Sequence, residues 1–85
     1  MDFQKVEVLI KTNLTDAEVR VTDLTGTQDH LGILIISDAF EGKRLLQQHQ
    51  MIMDILKESL KEEIHAVQLK TLTFAKAKNA GLLEA

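Results

Sequence analysis

The stretch RLLQQHQMIMDILKESLKEEIHAVQLKTLT, residues 44–73, changes its hydrophobic period partway along. From Arg44 to about Glu62, Leu45, His49, Ile52, Leu56 and Leu60 recur at helical spacing, reinforced by Leu46, Met53 and Ile55. Gln47, Gln50, Asp54, Lys57, Glu58 and Lys61 lie opposite, so the spacing predicts an amphipathic helix. After it the period falls to two. His65, Val67 and Leu69 share one side, and Ala66, Gln68 and Lys70 the other, which predicts a strand. If that strand pairs with the aliphatic run LGILIIS (31–37), the helix between them is a crossover and the pair is parallel.

Working outward, DFQKVEVLIKTNL (2–14) places Phe3, Val6, Leu9, Ile10 and Leu14 three and four apart. It predicts a first helix with Asp2 as its cap. AEVRVTDL (17–24) alternates, with Val19 and Val21 on the buried side of a half-covered strand. TGTQDH (25–30) reads as the turn of a hairpin, with Gly26 and Asp29 as turn residues. DAFEGK (38–43) breaks the aliphatic run, and FAKAKNAGLL (74–83) suits a short helix ended by Gly81. The order is helix–strand–strand–helix–strand–helix. It predicts an α+β fold in which helices cover one face of a three-stranded sheet.

The 85 residues make one domain, read as 1–85, with no linker, repeat or proline to divide it. The apolar fraction of 45% supports a single core, and three phenylalanines as the only aromatics make that core aliphatic. The absence of cysteine excludes disulfides, thiolate metal sites and a cysteine nucleophile within the chain, and suits a reducing compartment. A net charge of −3 means that any nucleic-acid contact needs a local basic patch. No stretch approaches a membrane span or a cleavable signal, so a cytoplasmic protein without membrane contact is expected. No HExxH, GxSxG, glycine-rich phosphate loop or calcium loop is present. The carboxylates fall on faces predicted to be solvated, and the expectation is a protein that is not an enzyme.

Three histidines remain. His49, in phase with Leu45 and Ile52, reads as a buried histidine with a structural role, hydrogen-bonded to backbone. His30 ends a turn immediately before one strand, and His65 begins another. Each has a plain reading as a turn or core-edge residue. Both sit where two imidazoles can converge on a metal, and other donors would then have to complete the site. A second candidate surface is GKRLLQQHQ (42–50), where Lys43 and Arg44 stand at the unfavourable end of the helix dipole with Gln47, Gln48 and Gln50 beyond. Such a surface suits a nucleic-acid groove or an anionic partner, although Glu41 offsets its charge and no aromatic is interleaved.

Taken together, DHLGILIIS (29–37), FEGKRLLQQHQMIMDIL (40–56) and IHAVQLKTLT (64–73) resemble the BolA-like family in order and spacing. The resemblance implies a class II KH-like αββααβα fold with a three-stranded mixed sheet covered by helices. It also implies partnership with a monothiol glutaredoxin and glutathione, sharing a bridging [2Fe–2S] cluster. His65 matches the ligand histidine of the IHA motif, and His30 the second donor, in the loop before the second strand. Some members of the family act instead as transcriptional regulators, which implies DNA as an alternative partner at the surface around FEGK. On that reading Lys43, Arg44, Gln47 and Gln50 form the partner or nucleic-acid surface, and Lys43 and Arg44 help to orient the glutaredoxin or glutathione. This chain departs from the family at Gln48, where arginine usually precedes the histidine matched by His49, and at Gln50, another position commonly basic. It also departs after residue 73, where TPxxW is replaced by FAKAKNAGLLEA. The departures at Gln48 and Gln50 are expected to remove charge from the helix surface and weaken DNA binding.

Overall fold

Alternation and aliphatic content pair three segments into one mixed sheet. A computed structural model describes residues 3–24, 26, 30–61 and 66–83. Strand β1 (Glu18–Asp23) runs antiparallel to β2 (Leu31–Ile36), with Glu18 opposite Ile36 and Asp23 opposite Leu31. Strand β3 (Val67–Leu72) lies parallel to β2 on its other side, with Leu31 opposite Val67 and Ile36 opposite Leu72. The parallel crossover expected from the sequence is therefore present, carried by the helix between them.

Helix α1 (Phe3–Asn13) and helix α2 (Leu45–Leu60) cover one face. Val6 and Ile10 of α1, Val19 of β1, Leu31, Ile33 and Ile35 of β2, and Ile52, Leu56 and Leu60 of α2 form the core, with Phe40 closing one end. Asp2, expected as the cap of α1, lies outside the described residues. The other face carries the alternate residues Arg20, Thr22, Gly32, Leu34, Ile36, Gln68 and Lys70. Here the expectation of helices on one face needs correction. Ile36 and Ala77 are both fully buried, yet neither belongs to the main core. Arg20 donates to the carbonyl of Leu82 at 2.7 Å. Helix α3 (Phe74–Asn79) and the turn after it therefore close the Ile36 end of the second face. The turn is a Schellman-type stop: Gly81 takes φ 76°, and the Leu82 amide donates to the Ala77 carbonyl at 2.9 Å.

The first half of α2 differs from its expected phase. Leu45 is 60% exposed and Leu46 80%, whereas Gln48 is only 7% exposed. The buried row is Gln48, Ile52, Leu56 and Leu60, a strict repeat of four. Gln48 goes inside because polar partners wait there. Its Nε2 donates to the Lys43 carbonyl at 2.8 Å and to that of Phe40 at 3.4 Å, and its Oε1 accepts from the Thr71 hydroxyl at 2.7 Å.

The corner after β2 is tied by Ser37, whose side chain is buried. Its hydroxyl donates to Asp16 Oδ1 at 2.6 Å and accepts from the Ala39 amide at 3.1 Å, starting a 3-10 turn at Asp38–Phe40. The Asp38 amide donates to Asp16 Oδ2 at 2.9 Å. The Ser37 hydroxyl and then the Asp38 amide favour the ionised Asp16 carboxylate, holding its pKa below the ordinary 3.8. A folded-state pKa below the unfolded one contributes stability that is present above the unfolded value and lost as pH falls through the folded value. Asp16→Asn should therefore lower the urea midpoint at pH 7. The gap from wild type should close progressively below about pH 4, where the wild-type carboxylate takes up its proton. A gap of constant size down to pH 2 would remove the ionised carboxylate from this corner.

Candidate functional site

The parallel register determines which ends of the strands meet. Leu31 and Val67 are partners, about 4.8 Å apart across the sheet, so β2 and β3 begin at the same end of the molecule. His30 immediately precedes Leu31. It is exposed, and its carbonyl accepts from the Leu24 amide at 2.9 Å, extending the hairpin beyond its last paired residues. His65 lies outside the described residues; it is two residues before Val67 in the chain. The pairing thus brings Leu31, next to His30, alongside Val67, two residues after His65.

Two imidazole nitrogens make half of a four-coordinate set. With no cysteine in the chain, thiolates for an iron–sulfur centre have to come from another molecule. Among the described residues no group of three or more His, Cys, Asp or Glu side chains is placed to hold a metal ion. Exposed His30 at a strand start suits a ligand set completed from outside, because a partner can reach it without opening the core.

His49 is set apart from these two. It lies half-buried on α2, and its Nε2 is sealed from solvent with no hydrogen-bond partner. The backbone-bonded histidine expected on the helix stripe is not what Nε2 presents. The reason is the turned phase of the helix, which gives the inward position and the available carbonyls to Gln48.

The surface at residues 42–50 occupies the other end of the sheet. A parallel crossover must begin where its first strand ends, so α2 starts near the Ile36 end, and the Gln48–Thr71 bond fixes it there. Thr71 is four residues along β3 from Val67, or about 13 Å at 3.3 Å per residue. Lys43 and Arg44 are exposed at that far end. They stand at the opposite end of the sheet from His30, so contact with both requires a partner that spans its length. Gln47 Oε1 accepts from the Arg44 amide at 3.0 Å, capping the helix, and Gln50 Nε2 donates to Asp54 Oδ1 at 2.9 Å. Both exposed amides are engaged locally. Gln48 is interior, so the departure at this position removes nothing from the helix surface, contrary to expectation, whereas Gln50 is exposed and its departure lies on that surface. Its structural role was readable in retrospect: counting back by four from Leu60 and Leu56 through Ile52 reaches Gln48, not His49.

Among the described residues no helix is long and apolar enough to cross a membrane. A family model described as BolA-like protein matches residues 1–76. The uncharacterized protein RP812 of Rickettsia prowazekii is 30% identical over 70 residues, covering 82% of this chain and 91% of that one. Its NMR structure, described as a BolA-like hypothetical protein, superposes with a TM-score of 0.70 at 28% identity, covering 87% of this chain and 96% of that one. Protein BOLA2 of Arabidopsis thaliana is 35% identical over 68 residues, covering 79% of this chain and 72% of its own. The DNA-binding transcriptional regulator BolA of Escherichia coli is 35% identical over 60 residues, covering 71% of this chain and 57% of its own.

Proposed function

This chain belongs to the BolA-like protein family, and on that premise we propose that it is a non-enzymatic adaptor which pairs with a monothiol glutaredoxin. The two proteins, with glutathione, would share a bridging [2Fe–2S] cluster in iron–sulfur cluster assembly, trafficking or iron sensing in the cytoplasm. His65 is the principal ligand on this side and His30 the second. The single observation that supports the reading is the in-register start of β2 and β3, which places the residues before Leu31 and Val67 at one end of the sheet. The backbone there is held by the sheet, while the exposed His30 is open to a second protein.

A cluster bound between the two proteins would supply transferable iron and sulfide. The chain's own part is to offer neutral nitrogens from a fixed frame. Protons compete with a metal for the imidazole nitrogen, so assembly should weaken as the pH falls. The test is anaerobic reconstitution with a monothiol glutaredoxin and glutathione, followed by visible circular dichroism. Wild type should give a spectrum distinct from that of glutaredoxin alone. His65→Ala should abolish it, and His30→Ala should alter it. A glutaredoxin spectrum left unchanged by wild type would refute the proposal.

A second reading is a DNA-binding regulator using the Gly42–Gln50 surface, supported by the exposed cations Lys43 and Arg44 and by the name of the E. coli relative. Its mark is ionic: affinity for duplex DNA should fall linearly on a log–log plot against salt, with a slope near −0.9 per phosphate contact, that is about −2 for two cations. Exposed Leu45 and Leu46 beside those cations, and the local engagement of Gln47 and Gln50, favour the adaptor.

A further inference from the structure

The face of the sheet that α3 leaves uncovered holds a hollow of about 290 Å³. By register its floor is two rows: Arg20, Leu34 and Lys70 across the three strands, and Thr22, Gly32 and Gln68 across the same strands one step on. Leu24 leans over the central strand because residue 32 is glycine: a Cβ there would stand 3.1 Å from Leu24 Cδ2. The Leu24 side chain so placed is one wall of the hollow. The residues lining it include two cations, Arg20 and Lys70, and no acid among the described residues. On a chain of net charge −3, paired cations over an apolar floor are a local inversion of the whole molecule's charge.

The geometry of the charges is set by the backbone. Arg20 and Lys70 flank Leu34 from either side, two strand spacings apart, or about 10 Å between Cα atoms. Both side chains are long enough to reach a single anionic group placed between them. The guanidinium of Arg20 is already held at one end by the Leu82 carbonyl, which leaves its other N–H donors in a fixed orientation. Thr22 and Gln68 add polar atoms on the outer strands of the floor. The volume is at the small end of ligand sites, which run from about 300 Å³ upward, so it suits a short chain and not a nucleotide. Self-association through this face is disfavoured, since stacking two copies would bring the like charges of Arg20 and Lys70 together.

We propose that this open sheet face binds a small amphipathic carboxylate, its head between Arg20 and Lys70 over Leu34 and its aliphatic body in the hollow against the exposed side of Leu24. The site is independent of the histidines and of the cluster reading. It belongs to the opposite side of the sheet from the α1–α2 core, so its occupation requires no opening of that core.

The test uses the full chain, ¹⁵N-labelled, titrated with octanoate at neutral pH and followed by amide shifts. Wild type should show saturable shifts at Thr22, Gly32, Leu34, Gln68 and Lys70. Lys70→Gln, at an exposed position, should weaken binding about tenfold through loss of one charge-assisted hydrogen bond. Gly32→Ala puts a methyl group 3.1 Å from Leu24 Cδ2 and pushes that half-exposed side chain off the strand into the hollow, so it should weaken binding by a steric route with both cations intact. Octylammonium, with the same chain and opposite charge, should give no saturable shift at these residues. Equal shifts from octylammonium would overturn the proposal, as would octanoate shifts centred on Leu45 and Leu46. An affinity unchanged in both Lys70→Gln and Gly32→Ala would also overturn it.

Discussion

Leu56→Ala should lower the unfolding free energy by about 2–5 kcal/mol, the range for emptying a fully buried aliphatic site that cannot collapse. Leu56 has no exposed surface and stands in the middle of the core between α2 and the sheet. Its loss removes transfer free energy and leaves a cavity among Ile and Val side chains, which are stiff at χ1 and fill a void poorly. A chain of 85 residues is expected to have only about 4–13 kcal/mol in total, so the variant should be near or past its threshold at room temperature. Urea denaturation followed by far-ultraviolet circular dichroism measures it. Leu46→Ala is the matched control on the same helix. With Leu46 80% exposed, its substitution should move stability by no more than about 0.5 kcal/mol. Similar losses in the two variants would mean that α2 presents a different face to the sheet.

Gln48→Leu should cost about 2–4 kcal/mol, although leucine is the more apolar side chain at a buried site. The reason is what it strands. The Thr71 hydroxyl, itself buried, loses its acceptor at 2.7 Å, and the Lys43 carbonyl loses its donor at 2.8 Å. A buried polar group left without a partner costs about 1–3 kcal/mol, which exceeds what the extra apolar surface returns. Thr71→Val deletes the hydroxyl and keeps the shape. The pair of substitutions together should therefore be milder than the sum of the two alone, by about 1–2 kcal/mol of coupling. Strict additivity in that double-mutant cycle would show that the two side chains do not share a bond. The same bond anchors the start of α2 to β3. Gln48→Leu should accordingly loosen the Gly42–Gln50 surface, seen as faster amide exchange in the first turn of the helix.

Much of this molecule was legible in its sequence because burial repeats with the period of the backbone. Val19 and Val21 alternate in β1. Ile52, Leu56 and Leu60 return every four residues in α2, and Gly81 stops α3 by taking a φ that other residues avoid. The same habit misplaced the start of α2. Leu45 and His49 fit the apolar pattern by type, whereas Gln48 does not. Its burial depends on carbonyls at residues 40 and 43 and a hydroxyl at residue 71, which no local pattern reveals. Likewise His30 and His65 could be singled out as imidazoles at strand ends, but parity along each strand gave no means of bringing them together.

What the sequence by itself determined is the element order, the aliphatic core, the lack of internal thiolates and the family to which the chain belongs. These depend on residue type and on short-range spacing, which the linear chain carries in full. Only the tertiary structure decided which strand ends meet and which lie apart. The parallel register of β2 and β3 puts His30 and the start of β3 at one end and the Lys43–Arg44 surface at the other. It also decided that α3 covers only the Ile36 end of the second face, leaving an open hollow walled by Leu24 and flanked by Arg20 and Lys70. Those relations arise from pairing between segments distant in sequence, where one register among several satisfies both faces of the central strand at once.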